Sequence, residues 1–207
     1  MKLLLATNNS HKAEELQMML NEEGFENVEL YNLSDFPFIS DPPETCDTFS
    51  GNALQKARFV YDALLQSSPA MSETIVLADD SGLVVPSLNG EPGVRSKRYT
   101  PEATPSANNA KLLRVLRGSE DRTAHFVCAL ALVTPAPKGS EQSRIEETVE
   151  GRCHGYIARG HKGENGFGYD PIFIPINRKK TFGEMKPTQK YKLDHRSKAF
   201  KKIKKFL

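Results

Sequence analysis

Two adjacent carboxylates, Asp79 and Asp80, stand between the apolar run 75–78 and the pair Ser81-Gly82. The run predicts a buried strand, and the carboxyl ends of strands are where open α/β sheets bind ligands. Neighbouring carboxylates repel each other unless a cation compensates their charge. Mg²⁺ suits such a pair because it takes one or two carboxylates and completes its octahedron with waters and phosphate oxygens. An Asx turn is the alternative, but it explains one aspartate better than two, so the sequence favours a magnesium site.

A second polar segment covers residues 7–12, between a predicted strand at 3–6 and a predicted helix at 11–23. Its members are Thr7, Asn8, Asn9, Ser10, His11 and Lys12. Small polar residues at a helix N-terminus leave backbone N–H groups able to hold an anion, and Lys12 adds a full charge. The phosphate-binding pattern GxxxxGK[ST] does not occur in the chain. The segment therefore predicts either an anion site of another kind or a simple capped turn.

A proline-rich acidic loop precedes the second predicted helix, which has Thr48 as its N-cap and runs to residue 66. Glu44 in that loop is, taken alone, typical of a solvated surface carboxylate. Asn52 and Lys56 are four residues apart on the helix, so their side chains share one face and can point into the same cleft. A surface position is the alternative for Lys56.

Glycines flank an aromatic residue in the segment Gly166-Phe167-Gly168-Tyr169-Asp170. Glycine lets the backbone come close to a ligand, and the ring of Phe167 offers a face for stacking. Stacking of a base on an aromatic ring contributes on the order of 1–3 kcal/mol. The segment predicts either a base-binding loop or a hairpin turn with a core phenylalanine.

The C-terminal part of the chain combines polar and basic residues in a helix predicted from about residue 189 onward. Lys190 and Asp194 are one helical turn apart, and His195 can donate to a base carbonyl or titrate near neutral pH. The lysines between residues 201 and 205 alternate with apolar positions, which is typical of an amphipathic helix with a solvated basic face.

The elements that must position these residues alternate between strand and helix in the first half of the chain. The predicted strands are 3–6, 28–31, 75–78, 83–85 and 124–133, with a hairpin partner over 145–149 and 153–157; the predicted helices are 11–23, 49–66, 106–117 and the C-terminal one. Early alternation followed by a late hairpin predicts an α/β fold with a mixed sheet. The length of 207 residues fits one domain, 1–207.

Composition narrows the class of protein further. The net charge of +2 does not suggest a nucleic-acid binder. Three cysteines without CxxC spacing argue against a disulfide framework or a zinc site and fit a reducing cytosol. The apolar run near Met1 is too short for a signal peptide's apolar region, and no later run approaches the length of a membrane span. We therefore expect a cytoplasmic protein that binds neither nucleic acid nor membrane.

Taken together, these motifs resemble those of the inosine triphosphate pyrophosphatase-like family. The matching residues occur in the family's order and span nearly the whole chain. They are Ala6-Thr7-Asn8-Asn9, Lys12 and Glu15-Leu16; Thr48-Phe49, Asn52-Ala53 and Lys56-Ala57; residues 78–83; Gly90, Pro92-Gly93-Val94, Ser96 and Arg98-Tyr99; residues 166–171; and His195-Arg196. The ordered set is specific although no single match is decisive.

The resemblance implies an elongated mixed β-sheet with flanking helices, in two lobes with an active-site cleft between them. It implies hydrolysis of deaminated purine nucleoside triphosphates (dITP, ITP and XTP) to the monophosphate and pyrophosphate, which cleanses the nucleotide pool. Mg²⁺ is the implied cofactor, and a homodimer is the implied assembly.

The resemblance also implies roles for single residues. Asp80 is the implied general base and metal ligand, with Asp79 and Glu44 as further metal ligands. The implied substrate-binding residues are Thr7, Asn8, Asn9, Ser10, His11, Lys12, Lys56, Ser81, Phe167, Gly168, Tyr169, Asp170, Lys190, His195 and Arg196.

Two positions depart from the family's pattern. Glutamate is usual where this chain has Gly51. With Thr48 as N-cap, that glutamate would stand at N3 and close a capping box, so Gly51 weakens the predicted helix start. If the glutamate also helps the metal, the acidic site here has one carboxylate fewer. Asp194 replaces the small hydroxyl residue usual before His195, and its charge is expected to restrain Arg196 or to raise the pKa of His195.

Two other functions fit parts of the sequence. A related pyrophosphatase that acts on modified pyrimidine or methylated nucleotides would use the same acidic site. A binding module for RNA or DNA would use the C-terminal lysines and predicts salt-sensitive affinity. A nucleic-acid-binding function leaves Asp79 and Asp80 unexplained, because carboxylates repel phosphate unless a metal is bound.

Overall fold

A computed structural model describes residues 1–68 and 71–207 of the chain. Its strands are β1 Lys2–Leu5, β2 Glu29–Asn32, β3 Ile75–Val84, β4 Thr123–Pro135, β5 Arg144–Ile157 and β6 Phe173–Pro175. Its α-helices are α1 Ser10–Glu22, α2 Phe49–Ser67, α3 Pro105–Val115, α4 Pro187–Tyr191 and α5 His195–Ile203. Short 3₁₀ turns connect several of these elements. Across the described ranges, no helix is long and apolar enough to cross a membrane.

Strands from both halves of the chain form one mixed sheet. Within residues 1–68 and 71–207 it has six strands in the order β2-β1-β3-β4-β5-β6. β1 is parallel to both β2 and β3, whereas β5 and β6 are antiparallel. The predicted α/β class with a mixed sheet and flanking helices is therefore confirmed.

Polar side chains start the first three helices. Asn9, Thr48 and Thr104 are the N-caps of α1, α2 and α3, and each accepts a hydrogen bond from a backbone N–H in the first turn. Capping of this kind satisfies donors that the helix itself leaves unpaired. The predicted start of the second helix after Thr48 is confirmed.

The prediction that Asp79 and Asp80 terminate their strand is wrong. β3 continues through both aspartates and the following Ser-Gly pair to Val84. Its parallel ladder with β1 ends at the pair Leu5 and Leu77, but β4 is its neighbour on the other side. Leu83 and Val85, which follow the aspartates, are fully buried, so packing holds turn-favouring residues in an extended strand.

The prediction of a single C-terminal helix is also wrong. The chain forms two helices there, α4 and α5, with a break between them. Oδ1 of Asp194 accepts a hydrogen bond from the backbone N–H of Ser197 at 2.7 Å, and Asp194 is buried. A side chain that bonds to the backbone ahead of it favours a new helix start over continuation of the old one. Asp194 thus acts as a helix cap, a task that a serine or threonine also performs.

The chain divides into two compact units. The first comprises Met1–Asp80, Ala129–Glu150 and Ala199–Leu207, and the second comprises Ser81–Cys128 and Gly151–Lys198. Each has its own apolar core. Leu4, Val60, Val76 and Ala131 are among the core residues of the first unit. Leu83, Leu112, Phe126, Phe173 and Phe182 are among those of the second.

The C-terminal lysines belong to the first unit and carry the amphipathic pattern that the sequence predicts. Ile203 is fully buried, while Lys201 and Lys202 are exposed. Nζ of Lys202 donates to the backbone carbonyl of Glu150 at 2.7 Å. The basic face therefore also secures the chain end to β5.

Candidate active site

Asp80 lies on β3 beside two side chains of α2. Nδ2 of Asn52 donates to Oδ2 of Asp80 at 3.2 Å, and Nζ of Lys56 lies 3.2 Å from Oδ1. All three side chains are buried. The four-residue spacing on the helix places one donor against each oxygen of the carboxylate. The predicted common face of Asn52 and Lys56 is therefore confirmed.

Lys56 also links Asp80 to the acidic loop. Its Nζ lies 2.8 Å from Oε1 of Glu44 and donates to the backbone carbonyl of Asp79 at 2.9 Å. One ammonium group thus contacts two carboxylates and a carbonyl. Glu44 is accordingly part of the cluster and not an isolated surface carboxylate.

Hydrogen bonds to α2 fix the loop that carries Glu44. The backbone N–H of Cys46 donates to Oδ1 of Asn52 at 2.8 Å. The backbone N–H of Thr45 donates to Oε1 of Gln55 at 3.0 Å. Asn52 therefore holds the loop with its oxygen and Asp80 with its nitrogen.

Gly51 is packed directly against this loop. Oγ1 of Thr48 accepts from the backbone N–H of Gly51 at 3.0 Å, so the helix start is capped although glutamate is missing. A Cβ at residue 51 would stand 2.8 Å from Cβ of Cys46 and 2.8 Å from Oγ1 of Thr48. Such distances are shorter than carbon atoms tolerate, so the close approach requires glycine.

Asp79 is held by the first turn of α1. Nζ of Lys12 lies 2.5 Å from Oδ1 of Asp79 and donates to its backbone carbonyl at 3.3 Å. The side chain of Asp79 is almost fully buried. The predicted polar segment at residues 7–12 and the predicted aspartate pair therefore meet through one ion pair.

The backbone of that polar segment is a capped turn. Oδ1 of Asn9 accepts from the backbone N–H of Lys12 at 3.4 Å, and Oγ1 of Thr7 accepts from that of Asn9 at 3.2 Å. Ser10 begins α1. The turn presents the N-terminus of a helix, where backbone N–H groups favour anions.

Two other members of the segment contact acidic residues of the loop and of α1. Nδ2 of Asn8 donates to Oδ1 of Asp41 at 2.8 Å in the acidic loop. Nδ1 of His11 lies 3.7 Å from Glu14, and 60% of the His11 side chain is exposed. Lys12 is therefore the member of the segment whose side chain contacts a buried carboxylate directly.

Burial and neighbouring charges set the protonation of the cluster. Burial raises the pKa of Asp80; the Lys56 charge opposes this, and the Glu44 charge adds to it. Burial acts to lower the pKa of Lys56, but the charges of Asp80, Glu44 and Asp79 outweigh it, so that pKa is raised. Lys56 is therefore a cation at neutral pH, and the Asp80 carboxylate is a stronger proton acceptor than an ordinary aspartate.

The carboxylates of the cluster are oxygen donors of the kind that bind a metal ion. No group of three or more histidine, cysteine, aspartate or glutamate side chains in the described part of the chain is arranged to hold one. Oxygens of Asp80 and Glu44 nevertheless approach a single cation, the ammonium of Lys56. Carboxylate oxygens are the donors that Mg²⁺ prefers, and one or two suffice when phosphate oxygens complete its shell. These two carboxylates fit Mg²⁺, while Asp79 is occupied by Lys12.

In the second unit, a tight turn surrounds Phe167. Oδ2 of Asp170 accepts from the backbone N–H of Phe167 at 2.9 Å, and Nδ2 of Asn109 donates to the carbonyl of Gly168 at 3.0 Å. Gly166 has a φ of +74°, and a Cβ there would lie 2.1 Å from Oδ2 of Asp170. The turn therefore depends on glycine beside the aromatic residue.

Tyr169 ties the turn to the segment before α3. Its hydroxyl donates to the backbone carbonyl of Ser96 at 2.9 Å, and burial raises its pKa. Nδ2 of Asn108 donates to the carbonyls of Ser96 and Lys97 at 3.3 and 3.1 Å. Consecutive asparagines on α3 thus hold both of these segments.

Two cations lie at the ring of Phe167. Nζ of Lys190 is 2.7 Å from Oδ2 of Asp170 and 4.9 Å from the ring centre. The guanidinium carbon of Arg196 is 5.6 Å from the same centre, and its Nη2 donates to Oγ of Ser81 at 3.3 Å. The second unit therefore brings the predicted residues Lys190 and Arg196 to the ring of Phe167, with Asp170 and Ser81 as their partners.

His195 lies against an aromatic cluster. Its ring stacks on Phe126 with centroids 4.7 Å apart and planes 10° apart. Phe126 also packs on Phe173 and Phe182, with centroids 4.7 and 6.2 Å away. Packing of this kind fixes the plane of a buried imidazole.

Asn109 and Phe126 support the site, and neither was predicted. Phe126 looks like any core residue of its strand, so the sequence has no local sign of its contact with His195. Asn109 does show a local sign of its role. Asparagine is unfavourable inside a helix, so two in succession on a predicted helix are unusual. Here the buried asparagines of a helix donate hydrogen bonds to the carbonyls of neighbouring loops.

The fold and these two clusters define an α/β protein with a buried carboxylate–lysine centre. The chain belongs to the Ham1 family, whose model matches residues 3–206. It is 45% identical to the dITP/XTP pyrophosphatase of Elusimicrobium minutum over 99% of this chain and 98% of that one. The family resemblance predicted from the ordered motifs is thus confirmed.

Solved structures agree with the assignment. A HAM1 protein from Coxiella burnetii superposes with a TM-score of 0.81 at 34% identity, covering 100% of this chain and 98% of that one. The nucleoside-triphosphatase, or dITP/XTP pyrophosphatase, of Mycobacterium abscessus has a TM-score of 0.70 at 40% identity, covering 100% and 98%.

Proposed function

We propose that this chain hydrolyses the deaminated purine nucleoside triphosphates dITP, ITP and XTP to the monophosphate and pyrophosphate. The similar proteins from E. minutum and M. abscessus are named for dITP/XTP pyrophosphatase activity. The observation that carries the proposal is the buried Asp80 carboxylate, held between Asn52 and Lys56 with its pKa raised. A buried basic carboxylate among lysines is suited to moving a proton beside a polyphosphate.

Asp80 is the proposed general base. An attacking water gives its proton to a carboxylate oxygen of Asp80 while its oxygen bonds to the α-phosphorus. The bond between that phosphorus and the bridging oxygen breaks, and pyrophosphate leaves. The raised pKa of Asp80 strengthens it as a proton acceptor.

Lysines and helix dipoles are proposed to balance the phosphate charge. Lys12 and Lys56 are close to Asp79 and Asp80, so each can exchange a carboxylate partner for a phosphate oxygen. The backbone of residues 7–12 adds the N-terminus of α1. Mg²⁺, held by Asp80 and Glu44 with Asp79 as a supporting charge, would neutralise phosphate oxygens when bound.

The cluster around Phe167 is proposed to bind the base. Its ring offers a stacking face, and Lys190, His195 and Arg196 supply donors. Donors directed at a 6-oxo group reject adenine, because its amino group would leave them unpaired. Guanine also has a 6-oxo group, so GTP is the substrate that tests selectivity most sharply.

Release of pyrophosphate from dITP, XTP, GTP and a modified UTP tests the proposal. We expect rapid release from dITP and XTP, slow release from GTP, and loss of turnover on chelation of Mg²⁺. GTP cleavage as fast as XTP cleavage would contradict the specificity. Preference for the modified UTP would favour the alternative activity on modified pyrimidines.

We also propose that the protein is a cytoplasmic homodimer. Cys46, Cys128 and Cys153 are free thiols, which persist in reducing compartments. The dimer rests on the family resemblance. Light scattering coupled to size-exclusion chromatography tests it, and a monomeric mass across concentrations would contradict it.

A further inference from the structure

A cavity lined by arginines lies in the second unit, formed by the end of α3, the residues before β4 and those after β5. Its volume is about 240 Å³. Its charged lining residues are Arg114, Arg117, Arg122 and Arg159. The rest of its lining is Ala110, Leu113, Leu116 and Gly118. Among the described residues, none with a carboxylate lines this arginine cavity.

Arg122 is built into the wall of the cavity. Its Nε donates to the carbonyl of Ile157 at 2.7 Å, Nη2 to that of Ala158 at 2.8 Å and Nη1 to that of Leu116 at 2.7 Å. These bonds close the C-terminus of α3 against the end of β5. They also leave an N–H on each terminal nitrogen for another acceptor. The guanidinium is therefore held in one orientation before any ligand arrives.

The positive charge of the arginine cavity is not neutralised by ion pairs. In residues 1–68 and 71–207, none of its four arginines forms an ion pair with a carboxylate. Burial and the nearby charge of Arg159 both lower the pKa of Arg122. Asp121 is next in sequence, but its carboxylate accepts from the N–H and hydroxyl of Thr123.

The C-terminus of α3 favours nearby cations, but this explains only part of the positive charge around the cavity. Cations are favoured at a helix C-terminus, and Arg122 already bonds there to the carbonyl of Leu116. Arg114 lies in the last turn of α3, and Arg117 follows the C-cap residue Leu116. Arg159 comes from a different element. Arg114, Arg117 and Arg159 are exposed, so an anion from solution can reach them, and it would reduce the repulsion among the four guanidinium groups.

We propose that the arginine cavity binds a phosphoryl anion, either free pyrophosphate or the phosphate tail of a nucleotide. Guanidinium groups recognise phosphate oxygens through paired charge-assisted hydrogen bonds. Pockets for drug-sized ligands have roughly 300–1,000 Å³, so this smaller cavity suits a di- or monophosphate group but not a whole nucleoside triphosphate. The site goes beyond the proposed hydrolysis and does not depend on it.

Arginine footprinting with phenylglyoxal and mass spectrometry tests the site on the intact chain at constant ionic strength. We expect pyrophosphate to protect Arg117 and Arg159 from modification but not Arg178, an exposed arginine elsewhere in the same unit. Equal protection of Arg178, or protection by chloride and sulfate to the same degree, would overturn the proposal. Because no turnover is measured, failure here is distinct from failure of the proposed hydrolysis.

The two possible sources are separated by a second series with a nucleoside diphosphate and a nucleoside monophosphate. Protection at lower concentrations of pyrophosphate assigns the site to the free anion, and the reverse order assigns it to a nucleotide. Either order supports a phosphoryl site, and the absence of protection by all of them refutes it.

Variants give an independent measurement by calorimetry with pyrophosphate. We expect R117Q/R159Q to lose a pyrophosphate-binding event separate from any at the Asp80 site, or to weaken that event about tenfold or more. The matched variant R178Q should bind as the unaltered chain does. Arg122 is left intact because it closes α3 onto β5, and unchanged unfolding temperatures verify that the variants are folded. Unaltered binding by R117Q/R159Q would sink the proposal.

Discussion

The ammonium group of Lys56 lies 3.2 Å from Oδ1 of Asp80, and both side chains are buried. The same ammonium lies 2.8 Å from Oε1 of Glu44. One ammonium group therefore contacts two carboxylates, and burial raises the pKa of Asp80 in spite of it. A further cation bound beside Asp80 and Glu44 would relieve the repulsion between the two carboxylates.

Replacement of Asp80 by asparagine should abolish most turnover. We expect Asp80→Asn to lower kcat for XTP by about 10²–10⁴, the usual contribution of a positioned base. Asp62→Asn on α2 is the matched control, since Asp62 is half exposed and pairs with Arg144. Pyrophosphate release measures both. Equal losses in the two variants, or full activity in Asp80→Asn, would refute the assigned role.

Removal of Lys56 should destabilise the fold. Lys56→Gln leaves Asp80 and Glu44 without their shared cation, and breaking a buried ion pair costs about 3–5 kcal/mol. Arg58→Gln on the same helix removes an exposed pair with Glu146 and should cost about 1 kcal/mol or less. Urea unfolding measures both free energies.

Mg²⁺ should restore part of the stability that Lys56→Gln loses. If Asp80 and Glu44 bind Mg²⁺, millimolar Mg²⁺ should raise the unfolding midpoint of Lys56→Gln and have less effect on Arg58→Gln, since a ligand that binds only the folded state stabilises it. A midpoint that Mg²⁺ leaves unchanged would argue against these two residues as metal ligands.

Loss of the Asn109 side chain should loosen the turn at Phe167. Asn109→Ala frees the Gly168 carbonyl, and one hydrogen bond is equivalent to about five- to tenfold in an equilibrium constant. We expect KM for XTP to rise by about that factor while kcat changes less. Ser106→Ala, on the exposed face of α3, should leave both constants unchanged. A fall in kcat at constant KM would point to a different role.

Stability should fall at alkaline pH because of Cys153. Burial raises the pKa of its thiol from 9.0 to about 11. The folded state therefore holds this proton more tightly than the unfolded state does. That stabilisation is complete below pH 9 and is lost as pH rises toward 11, by on the order of 2 kcal/mol. Unfolding free energies at several pH values should decline less steeply in Cys153→Ala. Identical slopes would disprove the assignment.

Local interactions made part of the site predictable. Thr48 caps α2 through the backbone three residues ahead, and Asn52 and Lys56 face Asp80 because helix periodicity places them on one side. The sequence pattern encodes such relations within a few residues. The family motifs then indicated which segments act together.

Contacts distant in sequence account for what could not be predicted. β3 continues through Asp80 because burial of the following apolar residues outweighs the turn preference of Asp, Ser and Gly. The stack of Phe126 on His195 and the bond from Asn109 to Gly168 join segments far apart in the chain. Neither periodicity nor capping contains information of that kind.

The close packing of Gly51 on Cys46 has a consequence for how this site can change. A glutamate at residue 51 would add a carboxylate, but its Cβ would collide with the side chain of Cys46. Accommodating it would displace the loop that carries Glu44, which is bonded to α2 through Asn52. Positions 46 and 51 are therefore coupled: a side chain at residue 51 needs either a shift of the loop that carries Cys46 or glycine at residue 46, because every other residue keeps the Cβ atom with which it would collide.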